Sequence, residues 1–272
     1  GNYSHAEGEK MSPTSNHIAN GVASHVEGGN TVAYSPYSHA EGTNNLAIGI
    51  GTHVEGYNNK AGSPIYTIIS FAANIFTLSG DYSTEFTNGD VIGLIDATGE
   101  PLSYSLGRQI TWYTVTNVTY KVGPNETDID FSPSLDAYTS NPQYVINLTK
   151  YETTVRTAHA EGISTTASGL ASHAEGGSTI ASGEVSHAEG NSTLASGDAS
   201  HAEGDGTIAS GNGAHAEGSS TTASGNGAHA EGGGTTASGK YSHAEGYVTV
   251  TNGFGSHAEG DGTIASGNTS HA

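Results

Sequence analysis

Histidine and glutamate recur two residues apart along this chain. The stretch Ser-His-Ala-Glu-Gly occupies 172–176, 186–190 and 200–204, and imidazole beside carboxylate is a pairing that performs acid–base catalysis or holds a transition metal. Thirteen of the fourteen histidines fall on this repeat, His5, His25, His39 and His53, then His159 to His271 at an unbroken interval of fourteen, and all of them but His271 have glutamate two residues on. A catalytic pair needs a single pocket with a perturbed environment, and copies at a fixed period offer none. A His-Glu-x-x-His metal site sets its ligands on one helical face, which this spacing does not do. The expectation is that the motif serves the architecture, with no catalytic residue, no metal site and no cofactor. Ions on a trimer axis stay open should the histidine column point inward.

Composition narrows what the motif can belong to. Of 272 residues only 33% are hydrophobic and 40 are glycine, too little bulk for an ordinary large core. The formal charge of −20, with seven Lys and Arg in total, repels phosphate backbones and anionic lipid surfaces, which argues against nucleic acid as a partner. No apolar run approaches the ~20 residues of a membrane-crossing helix, so membrane insertion is not expected. Without cysteine there are neither disulfides nor thiolate metal sites, and the compartment stays open. The sequence starts at Gly1 and stops at Ala272 partway through a repeat, and it reads as a piece of something longer.

A period of fourteen held over so many copies is the mark of a solenoid. Each unit has two similar halves, as in SHAEGDG at 200–206 and TIASGNG at 207–213. A helix carrying two or three glycines in every seven residues loses roughly 1 kcal/mol at each. The repeat therefore predicts a strand and a tight turn, twice per coil. With strand alternation, Ser200, Ala202 and Gly204 point one way and His201 and Glu203 the other, while Thr207, Ala209 and Gly211 oppose Ile208 and Ser210. The expected fold class is all-β, a flattened parallel β-roll of 14-residue coils with a thin interior of Ala, Ser, Thr and Gly. Stacking at about 4.8 Å puts His173, His187, His201 and His215 in one column and Glu175, Glu189, Glu203 and Glu217 in the next. It also gives the run from His159 to His271 a length on the order of 40 Å. Histidines beside stacked glutamates relieve their repulsion by sharing protons, so stability is expected to change between about pH 5 and 7.

A second column holds Ile180, Leu194, Ile208, Thr222, Thr236, Val250 and Ile264, one per coil. In the phase above it faces out of the roll and has to be covered by another chain; in the reverse phase it is the core. In either phase three rolls around an axis bury surface that one cannot, so a homotrimer is expected.

The refrain is absent between His53 and His159, and the composition changes there. Residues 57–157 hold the only tryptophan, nine of fourteen tyrosines and four of five phenylalanines. This divides the chain into N-terminal roll repeats (1–56), an inserted domain (57–157) and C-terminal roll repeats (158–272). Strands are expected at 65–70, 75–79, 90–96, 110–122, 127–131 and 143–148, rich in Val, Ile, Thr and Tyr and separated by turn dipeptides such as Asn88-Gly89 and Gly123-Pro124. These make a small antiparallel β-barrel or sandwich. Trp112, Tyr113 and Tyr104 are candidates for a glycan-contacting surface, against the alternative that Trp112 anchors the barrel core. Asp90, Asp96, Asp128, Asp130 and Asp136 permit a glycosidase pair, although turns and strand ends explain them as well.

The run SHAEGGSTIASGEVSHAEG at 172–190 resembles the head repeats of trimeric autotransporter adhesins and related repeats of bacteriophage tail fibres. The resemblance covers roughly 2–56 and 158–272 and implies a left-handed, trimerising parallel β-roll. The insertion, with IFTLSGDYSTEFTNGDVIGLID and WYTVTNVTYKVGPNETDIDFSPSL, is similar to a small β-barrel module of phage tail and fibre proteins. Together these imply a non-enzymatic segment of a trimeric phage or phage-like fibre that spaces and presents a domain to a cell-surface glycan or protein receptor. The implied location is the virion, or otherwise the extracellular or cell surface. The alternatives are a bacterial trimeric surface adhesin, a structural surface filament and, furthest away, a polysaccharide-degrading tailspike.

Overall fold

The computed structural model describes residues 3–8, 18–19, 21–62, 66–72, 74–95, 113–132, 144–147 and 157–272. Every regular element among them is a β-strand. The chain forms two compact units, residues 1–62 with 156–272 and residues 63–155.

The first unit is a parallel β-solenoid of two twelve-stranded sheets. One sheet is built from the His-Ala-Glu-Gly segments, such as His187–Asn191, His201–Asp205 and His215–Ser219, and the other from two-residue strands such as Leu194–Ala195 and Ile208–Ala209. The register is one coil without slippage: His187 pairs with His201 and His201 with His215, Glu203 with Glu217, Ile208 with Thr222. Fourteen residues per turn therefore set identical side chains one above another. The backbone satisfies itself coil to coil, even in the turns. His201 N donates to Ala214 O at 2.9 Å, while at the two corners Gly206 N donates to Asn191 O at 2.9 Å and Gly213 N to Asp198 O at 2.7 Å. Serines before the histidines close one corner, with Ser186 Oγ donating to Gly183 O at 2.7 Å.

Side chains alternate as strand geometry requires. Ser200, Ala202, Thr207 and Ala209 are buried, and the alanine column Ala188, Ala202, Ala216 packs with Ala195, Ala209, Ala223 of the other sheet. His201 and Glu203 lie on the outer face, and Ile208 is exposed. The column of Ile180, Leu194, Ile208, Thr222, Thr236, Val250 and Ile264 faces out: Ile180, Ile208 and Ile264 are exposed, and Leu194, Thr222, Thr236 and Val250 half-buried. The small residues are the core and the stripe is not.

Gly204 departs from the expected alternation. It is exposed, and its φ of +109° turns the chain so that its hydrogens face the next coil. A β-carbon there would meet Gly218 O at 2.1 Å. Positive φ at this end of each long strand replaces a further inward residue with a close approach between coils.

The solenoid runs on across the insertion. His53–Tyr57 pairs in parallel with His159–Ile163, His53 opposite His159 and Glu55 opposite Glu161. Lys60–Gly62 completes the second sheet before the chain departs, and Lys60 pairs with Thr166. In these coils Asn45 and Asn59 take the buried place that threonine holds further on. Asn59 Nδ2 donates to Gly162 O at 2.7 Å and Asn59 Oδ1 accepts from Thr165 N at 2.8 Å, so the amide bridges across the 103 residues that part Asn59 from Gly162.

The second unit is a closed antiparallel barrel. Its strands run in the order Ile75–Ser79, Glu126–Ser132, Tyr113–Lys121, Val91–Ile95, Tyr144–Asn147 and Tyr66–Ala72, which pairs back with the first. All six expected strands are present with ends moved by a few residues. The core packs Phe76, Leu78, Phe86, Ile92, Leu94, Tyr113, Val115, Ile129, Phe131 and Val145.

Tyr113 is a correction to the glycan-contact expectation. It is only 1% exposed, with its ring 5.3 Å from Phe131 in an edge-on contact, so it fills the barrel and offers no surface. Inward alternation on the Tyr113–Lys121 strand places it there. Trp112 and Tyr104 lie outside the described residues. Among the aspartates, Asp90 ties a turn, accepting from Thr87 N and from Asn147 Nδ2, each at 2.8 Å. Asp128 pairs with Lys121 and accepts from Thr77 Oγ1 at 2.9 Å. Asp130 accepts from Asn117 Nδ2 at 3.1 Å. Each of these three has a structural partner; Asp96 and Asp136 lie outside the described residues.

Candidate functional site: the histidine–glutamate ladder

Parallel register turns a sequence motif into two adjacent columns. From His159 to His257 successive imidazoles stack with centroids 4.7–4.8 Å apart and planes within 11° of parallel. The ladder residues expected from the sequence, His173, Glu175, His187, Glu189, His201, Glu203, His215 and Glu217, all take part. They occupy one outer face of the His-Ala-Glu-Gly sheet, with the histidines half-buried.

The imidazoles point Nε2 at the carboxylates, and the partner changes along the ladder. His173, His187 and His201 approach the glutamate of their own coil, at 3.5 Å to Glu175, 3.6 Å to Glu189 and 3.5 Å to Glu203. His229 stands between two, 3.7 Å from Glu217 one coil back and 4.0 Å from its own Glu231. His243 and His257 lean fully back, to Glu231 at 3.6 Å and Glu245 at 3.1 Å. Only the last is a hydrogen bond by distance. Nine histidines, from His39 to His243, have Nε2 shut off from solvent without a hydrogen-bond partner.

Burial, followed by the positive neighbours above and below, pushes the imidazole pKa down at His159, His201 and His229. The same two causes act at His39 and His243. Neutral imidazole is thus the favoured form. The glutamates behave as a group: a hydrogen bond with Glu217, then one with Glu245, pushes Glu231 up to about 7, while the same bonds hold Glu217 and Glu245 below the ordinary carboxylate range. At about 7 the Glu231 carboxyl is part-protonated near neutral pH, the form that can donate to the carboxylate beside it. An open groove runs along this column, lined by Glu203, Glu217, Glu231 and Glu245 with Gly218, Gly232 and Gly246.

Stacking also assembles triads that no single stretch of chain contains. His187, Glu189 and His201, or His229, Glu231 and His243, each bring three ligand-type atoms within 4.8 Å of one another. Spacing along one coil does not reveal these, because the third ligand comes from the coil above. The signal was the fourteen-residue period itself. Sequence reasoning also passed over the turn ladders: Asn191 Nδ2 donates to Asp205 Oδ1 at 2.8 Å, and Glu184 N to Asp198 Oδ1 at 3.1 Å. Aspartates scattered in the repeat cap the neighbouring coil.

No family model matches the chain, and no curated protein matches its sequence.

Proposed function

We propose that this chain is a non-enzymatic segment of a trimeric fibre, on a phage tail or a phage-like particle, that spaces and presents its inserted barrel for attachment to a host surface. The observation that carries this reading is the outward column Ile180, Leu194, Ile208, Thr222, Thr236, Val250 and Ile264, one residue per coil in unbroken register and apolar in five of the seven. A solvent-facing apolar row on a chain of charge −20 is a surface made to be covered. Its translational repeat fits a second and third copy of itself about a common axis. The resemblance of the repeats to adhesin heads and tail-fibre rolls supports the same arrangement. Three copies of the barrel on one fibre gain avidity for a glycan or protein receptor on a cell surface without any new contact. The location that follows is the virion, or otherwise the outside of a cell.

Light scattering of the 272-residue chain over a range of concentrations tests it, alongside Ile180→Asp/Ile208→Asp. A trimer that the double variant dissociates is expected. A folded monomer at every concentration overturns the reading.

A further inference from the structure

We propose that the ladder binds divalent transition metal, with Zn²⁺ as the type ion, on His–Glu–His triads made from consecutive coils. Three observations meet here. The triads His187-Glu189-His201, His229-Glu231-His243 and His257-Glu259-His271 each offer two imidazoles and a carboxylate within 4.8 Å. That donor set suits zinc, copper or nickel better than magnesium or calcium. The Nε2 atoms of His187, His201, His229 and His243 are cut off from water and have no hydrogen-bond partner. And the spacing is that of ligands: His187 Nε2 lies 3.6 Å from Glu189 and His243 Nε2 3.6 Å from Glu231. This is long for a hydrogen bond, yet close to the ~3.3 Å that separates two ligands of one tetrahedral zinc with bonds of about 2.0 Å.

The second imidazole has further to come. Rings stacked at 4.7–4.8 Å converge on one ion by tilting toward each other, a movement that uncovers Nε2 on side chains whose remaining surface is about one-third exposed. Water completes the fourth position. Neighbouring triads compete, because His201 belongs both to the triad with His187 and to the one with His215, and His243 and His257 are shared likewise. A histidine donates Nε2 to one ion only, so loading skips coils. The largest non-overlapping sets begin at His229 and His257 with either His187 or His201, three ions on the described triads.

The test is calorimetric titration of the full chain with ZnCl₂ at about pH 7.5, where free imidazole is neutral, in millimolar Mg²⁺ to occupy the diffuse acidic surface. Saturable uptake near three ions per chain is expected, with the variant that replaces all five triad carboxylates, Glu189→Gln/Glu203→Gln/Glu231→Gln/Glu245→Gln/Glu259→Gln, binding at least about tenfold more weakly. Absence of saturable uptake over Mg²⁺, or a fivefold variant that keeps its strand circular dichroism and binds like the parent, overturns the proposal. Co²⁺ on the unaltered protein gives a readout independent of the variant. Visible bands of a four-coordinate nitrogen–oxygen set support the triads, and the spectrum of hydrated Co²⁺ rules them out.

Discussion

A β-carbon on Gly204 would lie 2.1 Å from the carbonyl oxygen of Gly218 in the next coil. The same clash recurs up the column, Gly190 against Gly204 at 2.2 Å and Gly218 against Gly232 at 2.1 Å, so this glycine sets how closely coils stack. Gly204→Ala is expected to cost about 3 kcal/mol or more, from overpacking against backbone and from a φ that L-residues resist. Gly213→Ala is the contrast: its φ is +64° and nothing lies within 4 Å. Ala199 already occupies the equivalent corner at φ 54°, so the cost there is about 1 kcal/mol. Denaturation midpoints of the two variants decide; equal losses would remove the steric account.

Hydroxyls in the core separate into two kinds. Thr207 Oγ1 is sealed from solvent without a partner, as are those of Thr193 and Thr221, whereas Thr235 Oγ1 donates to Glu231 O at 3.2 Å. Valine matches threonine in shape and needs no hydrogen bond. Thr207→Val is expected to be neutral or stabilising by up to ~1 kcal/mol, and Thr235→Val to lose about 1 kcal/mol. Thermal unfolding of both, with the opposite ranking, would show that the hydroxyls are satisfied in solution.

Acid should loosen the metal-free ladder. His229 is faced by His215, His243, Glu217 and Glu245, and burial with the two imidazoles depresses its pKa, as at His159 and His201. The unfolded chain then takes up protons first, so the stability these groups contribute is intact above about pH 6.5 and is lost as pH falls below it. Glu231 acts in the other direction. Raised from 4.5 to about 7, it contributes stability below its unfolded pKa that is lost as pH climbs through about 7. The several histidines outweigh the one glutamate, and Tm in EDTA should drop by about 2–4 °C between pH 7 and 5, the half-open face screening the rest. Glu231→Gln mimics the protonated form, so its advantage over the parent is expected to be nil near pH 4.5 and to reach on the order of 1 kcal/mol above pH 7. A Gln variant with the same advantage at both ends of the range would discard the Glu231 proton.

Periodicity made most of this fold readable before any coordinates. The interval of fourteen from His159 onward implies stacked coils, and strand alternation puts Ser200, Ala202, Thr207 and Ala209 on one side, but only their burial shows which side is the inside. The barrel strands were visible as β-branched and aromatic runs between turn dipeptides. What escaped was whatever depends on the coil above. Gly204 looked like one more inward residue because its neighbour across the gap, Gly218, is fourteen positions away. Tyr113 looked like surface because its edge contact with Phe131 comes from another strand of the barrel. The lean of His243 toward Glu231 and of His173 toward its own Glu175 cannot be told from two copies of one motif.

His53 stands opposite His159 as any histidine here stands opposite the one a coil later. To the solenoid, the 106 residues that separate them amount to a single step. Departure after Gly62 and return by Thr157 fall at adjacent levels of the same stack, where Thr157 would be met at 3.4 Å by a β-carbon on Gly51. The solenoid therefore offers an insertion two attachment points at adjacent levels. A domain of any fold whose own ends come together can be exchanged there by recombination, and the register on either side carries no record of the change.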